Sequence, residues 1–157
     1  MRNNDVDILL VEDNPYEAKL TIMSLQEQNL ANNLHHVDDG AEALDFLFAR
    51  GHYEDRENEN MPKLILLDLN LPKIGGLDVL REIKEHDRTK SIPVVILSSS
   101  KQDADVITGY MLGVNSYVVK PVDFDVFSKA ISDLGSYWML LNESSTLLLL
   151  AKTRLVA

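Results

Sequence analysis

The run Leu64-Ile65-Leu66-Leu67 ends on a carboxylate, Asp68, and that junction constrains the chain more than any other stretch. Four apolar residues between polar neighbours fit a strand covered on both faces, as the central strands of a parallel sheet are. Two other runs have the same form: Ile8-Leu9-Leu10-Val11, closed by Glu12-Asp13, and Val94-Val95-Ile96-Leu97, closed by Ser98-Ser99-Ser100. Leu34 to Val37, with His35 and His36, and Ser116 to Val119, closed by Lys120-Pro121, read as weaker strands.

Helical spacing fills the intervals. After Val11, Asn14 is a natural N-cap with Pro15 at the first helical position, and Tyr16, Leu20, Met23 and Leu30 follow one face. Asp38-Asp39-Gly40 is a turn or cap, followed by a helix from Ala41 that carries Ala43, Leu44, Leu47 and Phe48, with Gly51 as its stop. Residues 52–62 are charged and read as an exposed loop longer than such a connection needs. Lys73-Ile74-Gly75-Gly76 makes a glycine-rich turn before a helix with Leu77, Leu80 and Ile83 on one face. A fourth helix, Asp103 to Leu112, is expected to turn Ile107, Tyr110 and Met111 inward and to end at Gly113. The last begins near Asp123, with Phe124, Phe127, Ile131, Leu134, Trp138 and Leu141 spaced by three and four. Five strands alternating with five helices give the fold class: α/β, a doubly wound five-stranded parallel sheet in a single domain. The pattern covers residues 5–141 and leaves 142–157 as a C-terminal tail.

Composition narrows the chemistry. With 157 residues and 45% apolar content the chain buries one sizeable core. The absence of cysteine excludes disulfides, thiolate catalysis and Cys-ligated metal centres. A net charge of −10 without any Lys/Arg-rich block argues against a nucleic-acid partner and, at its simplest, serves solubility. No segment approaches the roughly 18 apolar residues of a membrane span, and the acidic N-terminus is not a secretory signal. A cytoplasmic location fits.

In a sheet of this kind the strands' C-terminal ends share one edge, and ligands bind in the crevice beyond it. The residues placed there are Glu12 and Asp13, Asp68, Ser98 and Lys120. Carboxylates this close repel unless their pKa values rise or a cation neutralises them. Oxygen-only donors favour Mg²⁺ over zinc. With that ion held by Glu12 and Asp13, Asp68 can act as nucleophile toward a phosphoryl group, while Lys120 and the Ser98 hydroxyl contact its oxygens. A cis Lys120–Pro121 bond would aim the lysine into the site, although cis is the minority state. Taken singly, each residue has a plainer reading: Glu12-Asp13 as a solvated turn, Lys120 as a surface lysine. Their joint placement at four strand ends favours the site.

The segments Val11-Glu12-Asp13-Asn14, Leu66 to Pro72 around Asp68, Gly75-Gly76, Ile96-Leu97-Ser98 and Val119-Lys120-Pro121 stand in the order and spacing of the receiver domain of two-component response regulators, which residues 7 to about 134 resemble closely. The resemblance implies a flavodoxin-like, CheY-like fold. It also implies that Asp68 accepts a phosphoryl group from a sensor histidine kinase or phosphotransfer protein, with Mg²⁺ bound by Glu12, Asp13, Asp68 and the Asn70 backbone carbonyl. Ser98 and Tyr117 match the family's switch pair; serine in place of the commoner threonine leaves the hydroxyl less constrained. The charged 52–62 insertion and the helix with Trp138 resemble the small stand-alone regulators of cyanobacterial and bacterial phytochromes. Self-catalysed transfer and hydrolysis at Asp68 would then be the only chemistry, without turnover of an external substrate. Two other classes stay in view. A phosphohydrolase with an aspartyl nucleophile wants an acid where Asn70 stands, and a flavodoxin-like cofactor module wants a phosphate-binding loop where Glu12-Asp13 stand.

About sixteen residues after Leu141 are too few for an output domain, so the signal is expected to leave through the face of the fourth helix, fifth strand and fifth helix. A homodimer through that face, extended by Leu147 to Leu150, is expected, with a disordered tail as the competing view.

Overall fold

The computed structural model describes residues 6–56, 60–99, 102–120 and 123–141. Its elements run β1 (Ile8–Val11), α1 (Pro15–Gln26), β2 (Leu34–Val37), α2 (Gly40–Leu47), a 3₁₀ turn at Gly51–Tyr53, β3 (Leu64–Leu67), α3 (Gly76–Glu85), β4 (Val94–Ser98), α4 (Asp103–Met111), β5 (Ser116–Val119), α5 (Phe124–Ser136) and a π-helical turn at Tyr137–Leu141. The five strands form one parallel sheet in the order β2-β1-β3-β4-β5. That order reverses direction between β1 and β3, the crevice where ligands of such sheets bind.

Alternation along the strands divides the core in two, because successive side chains leave opposite faces. Ile8, Leu10, Leu64, Leu66, Val95 and Leu97 face α1 and α5, where Ala18, Leu25, Phe127 and Ile131 cover them. Leu9, Val11, Ile65, Leu67, Val94 and Ile96 face the other layer, built by Ala43, Leu44, Phe46 and Leu47 of α2 and Val79, Leu80 and Ile83 of α3. β1, β3 and β4 are buried throughout, which is why their sequences are continuous apolar runs. α1 and α5 meet closely: a Cβ on Gly135 would lie 2.6 Å from Leu25 Cδ2. Beside that contact Ser24 Oγ donates to the Leu20 carbonyl at 2.8 Å and lies 2.9 Å from Ser128 Oγ.

Four helical expectations are corrected by the structure. On α1 the buried residues are Ala18, Thr21, Ser24 and Leu25, whereas Tyr16 is 80% exposed and Met23 also faces water. On α4, Ile107, Tyr110 and Met111 point outward, Met111 at 82% exposure, and α4 meets the sheet instead through the bare backbone of Gly109 beside Ile96 and Tyr117. Phe124 at the start of α5 is exposed too. α2 stops at Leu47, with Ala49 rather than Gly51 in the first left-handed position; Gly51, also left-handed, opens the next turn. The Lys120–Pro121 bond, the Leu141 side chain and the 142–157 tail lie outside the described residues.

The expected open loop after α2 is clamped over residues 51–56. The Tyr53 hydroxyl donates to Glu42 Oε1 at 2.7 Å and so accepts from His35 Nε2 at 2.9 Å. The His35 ring stacks on Phe46 with centroids 4.6 Å apart, and the Arg56 guanidinium lies over the other ring face while donating to the Phe46 carbonyl. Burial holds the His35 imidazole below its ordinary pKa, with Arg56 and His36 acting in the same sense and Glu42 against it.

A group whose folded pKa is depressed contributes stability that is complete above its unfolded value, near 6.5 for histidine, and lost as pH falls through the folded value. His35→Gln is therefore expected to lower stability by about 1 kcal/mol at pH 7.5 through the lost stack and hydrogen bond. The gap to wild type should narrow as pH falls toward 5. Thermal melts of the two proteins across that range check it, and a gap independent of pH would contradict the assignment.

Candidate functional site

Backbone ladder bonds carry the polar residues to the rim. Asp68 N–H donates to the Val11 carbonyl at 3.0 Å, Glu12 N–H to Val37 at 3.1 Å and Lys120 N–H to Ser98 at 2.8 Å, so each residue directly follows, or ends, a paired strand. His36 Nε2 donates to the Glu12 carbonyl at 2.7 Å and pins the turn that leads out of β1. Asn14 then caps α1, its Oδ1 accepting from Tyr16 N–H at 3.0 Å and Glu17 N–H at 3.2 Å. That cap sets Glu17 at the third helical position, facing back toward the strand ends.

Lys120 is the hub. Its side chain is 8% exposed, and Nζ lies 2.6 Å from Glu12 Oε1, 2.7 Å from Glu17 Oε2 and 3.4 Å from Asp68 Oδ2. Three carboxylates around one buried ammonium leave an excess of negative charge. Burial first, and the neighbouring Asp68 and Glu17 carboxylates next, push Glu12 up to about 9 against the pull of Lys120. Burial would raise Glu17 as well, but hydrogen bonding with Glu12 and Lys120 outweighs it and holds Glu17 below the usual range. At Lys120 burial acts to lower the pKa, but hydrogen bonds to Glu12 and Glu17 and the Asp68 charge outweigh it and raise it.

Of the residues expected here, the structure brings Glu12, Asp68 and Lys120 into contact. Ser98 is fully buried as the last residue of β4. Tyr117 pairs with Ile96 across β4 and β5 and packs against the α2–α3 side of the core, the face that Ile96 and, two residues on, Ser98 share. Asp13 is exposed on the solvent side of the turn. Asn70 is exposed too, its N–H reaching back to Asp68 Oδ1 at 3.3 Å, which curls residues 68–70 into a tight turn. Glu17 is the residue that strand ends alone do not reveal, since it belongs to a helix; the signal for it is its place three residues after the Asn14 cap.

The donors fit a hard divalent cation. Glu12, Glu17 and Asp68 offer carboxylate oxygens that lie within 4.8 Å of one another. Glu12 Oε2 is the one buried side-chain polar atom among the described residues with no hydrogen-bond partner. A buried acceptor of that kind is costly unless a cation or proton meets it. An all-oxygen set with no nitrogen or sulfur suits Mg²⁺ or Mn²⁺.

Gly76 shapes this pocket from below. A Cβ there would fall 2.3 Å from the Asp68 carbonyl oxygen and 2.6 Å from Leu69 Cα, whereas one on Gly75 would meet nothing within 4 Å. Gly76→Ala is expected to cost about 1–3 kcal/mol by overpacking against backbone and to weaken divalent-cation binding, while Gly75→Ala is tolerated. Thermal melts and metal titrations of both variants separate the two glycines.

Comparison with known proteins identifies the family and the fold. The family model of the response regulator receiver domain matches residues 8–132. Response regulator Rcp1 of Synechocystis sp. is 41% identical over 132 residues, 84% of this chain and 88% of its own. Among solved structures, the phosphorylated cyanobacterial phytochrome response regulator RcpA superposes with a TM-score of 0.83 at 35% identity, covering 89% of this chain and 98% of its own. The Mn²⁺-bound form of Rcp1 superposes at 0.82 with 38% identity over 88% of this chain and 98% of its own.

Proposed function

The chain belongs to the response regulator receiver family and acts in phosphorylation-based signalling, and from that premise we propose that Asp68 is the phosphoacceptor. The observation that carries this reading is the buried contact of Lys120 with both Glu12 and Asp68 at the C-terminal edge of the sheet. An Asp68 oxygen forms the bond to phosphorus while the donor's bond to phosphorus breaks and its electron pair leaves with the donor. Lys120 neutralises oxygens of the transferred group, and the Ser98 hydroxyl, at the end of β4, hydrogen-bonds one of them on this reading. Glu12, Asp13, Asp68 and the Asn70 carbonyl would hold Mg²⁺, which supplies further charge neutralisation at the phosphoryl oxygens. Hydrolysis of the acyl phosphate resets the protein, with no external substrate turned over.

The likeness to Rcp1 and RcpA supports a sensor histidine kinase as donor, and a phytochrome as that kinase. No helix among the described residues is long and apolar enough to cross a membrane, which fits a cytoplasmic encounter. Ser98 and Tyr117 form the switch on this reading. The exposed Ile107, Tyr110 and Met111 of α4 support the face of α4, β5 and α5 as the homodimer surface, with residues 142–157 as its extension.

Incubation with acetyl phosphate and Mg²⁺ should label the wild type and leave Asp68→Asn unlabelled, with EDTA abolishing the reaction. Label on Asp68→Asn at the wild-type rate would remove the acceptor assignment. Sedimentation at micromolar concentration should show a dimer with or without an acyl-phosphate mimic, and Met111→Glu should favour the monomer. A wild type that stays monomeric under both conditions would remove the dimer.

A further inference from the structure

On the reading that Asp68 is the phosphoacceptor, we infer that Glu17 is a positioning residue that holds the Lys120 ammonium in the resting protein and yields it to the incoming phosphoryl group. The ammonium has three N–H donors, and three carboxylates surround it. Nζ sits 2.7 Å from Glu17 and 2.6 Å from Glu12 but 3.4 Å from Asp68, so the acceptor holds it most loosely. Of the two closer partners, Glu12 is 4% exposed and Glu17 is 39% exposed. Glu17 alone can return its carboxylate to water without burying an unpaired charge, and so it is the partner that gives way.

Phosphorylation makes that exchange necessary. An oxygen of Asp68 forms the O–P bond, the bond from phosphorus to the donor breaks, and the electron pair leaves with the donor, as acetate when acetyl phosphate is used. The product brings anionic phosphoryl oxygens to the place where Lys120 is needed. The Glu17 carboxylate competes for the same N–H donors and repels the new charge. Glu17 therefore slows entry into the phosphorylated state, a brake supplied by helix α1 and not by the strand ends.

The test is a double-mutant cycle on the rate of labelling by acetyl phosphate at saturating Mg²⁺. Glu17→Gln keeps the length and an acceptor oxygen but removes the charge, and it should label roughly two- to fivefold faster, the factor expected of a half-exposed ion pair. The same change in a Lys120→Met or Lys120→Gln background should have no effect, because Glu17 acts through Lys120. A general structural defect would slow labelling, not accelerate it. Wild type that takes no label overturns the acceptor assignment and this inference with it. Wild type that labels, with Glu17→Gln equal or slower, overturns the inference alone. So does an acceleration that survives in both Lys120 backgrounds, or a tenfold or larger loss of Mg²⁺ affinity in Glu17→Gln by calorimetric titration, which would make Glu17 a metal ligand.

Discussion

A single ammonium buried at the edge of a sheet organises this molecule. Lys120 lies almost wholly out of water, and a charge in that position is tolerable only with partners. It takes three, contributed by the residue after β1, the first turn of α1 and the residue after β3. Loss of the ammonium would leave the buried Glu12 and Asp68 side chains facing each other without a counter-charge, where imbalance is expensive. The cluster therefore ties together elements separated by as many as 108 positions in sequence. The excess of acid over base around it is what makes the rim receptive to a further cation.

The rest of the fold delivers those groups with little freedom. Parallel pairing from β1 through β5 fixes the height of each strand end: Glu12 and Asp68 emerge level with each other, and Lys120 follows further along the register, its long side chain reaching both. Helices close in where a side chain would block them: Gly76 lets α3 start against the Asp68 carbonyl, and Gly40 lets α2 start 2.1 Å, measured from a hypothetical Cβ, from the Ile74 carbonyl. Neither glycine has a left-handed backbone, so steric room and not conformational freedom explains them.

How much of this the sequence discloses depends on range. β1, β3 and β4 are legible because burial on both faces leaves no polar position in them, and the strand ends follow at once. Glu12, Asp68 and Ser98 are legible for the same reason, whereas Lys120 closes the half-buried run Ser116–Val119 and is marked only by its place after it. Helix faces are less so. In α1 and α4 the bulky residues at helical spacing, Tyr16, Met23, Ile107 and Met111, suggest an inner face, yet the inner positions are held by small ones such as Ala18, Ser24 and Gly109. Close approach of a helix to a neighbour selects small residues, and hydrophobicity patterns do not register that. The clamp of His35, Phe46, Tyr53 and Arg56 is invisible for another reason: it joins β2, α2 and the following turn through side-chain geometry. Glu17 is hidden because its partner lies 103 residues away.

The two layers differ in a way that bears on signalling. α1 and α5 are locked, with Gly135 against Leu25 and Ser128 beside Ser24 at 2.9 Å. α4 is held more lightly, since much of its apolar surface faces outward, and its contact with β5 includes the Tyr117 N–H donating to the Tyr110 hydroxyl at 3.3 Å. β5 carries Tyr117 and leads directly into Lys120. On the proposed reading, a shift of Lys120 from Glu17 toward a phosphoryl group pulls on the end of the strand whose side chains and N–H groups meet α4. The layer that is free to respond is then the one whose exposed apolar residues offer a surface to a partner, while the α1–α5 layer keeps the acids in register.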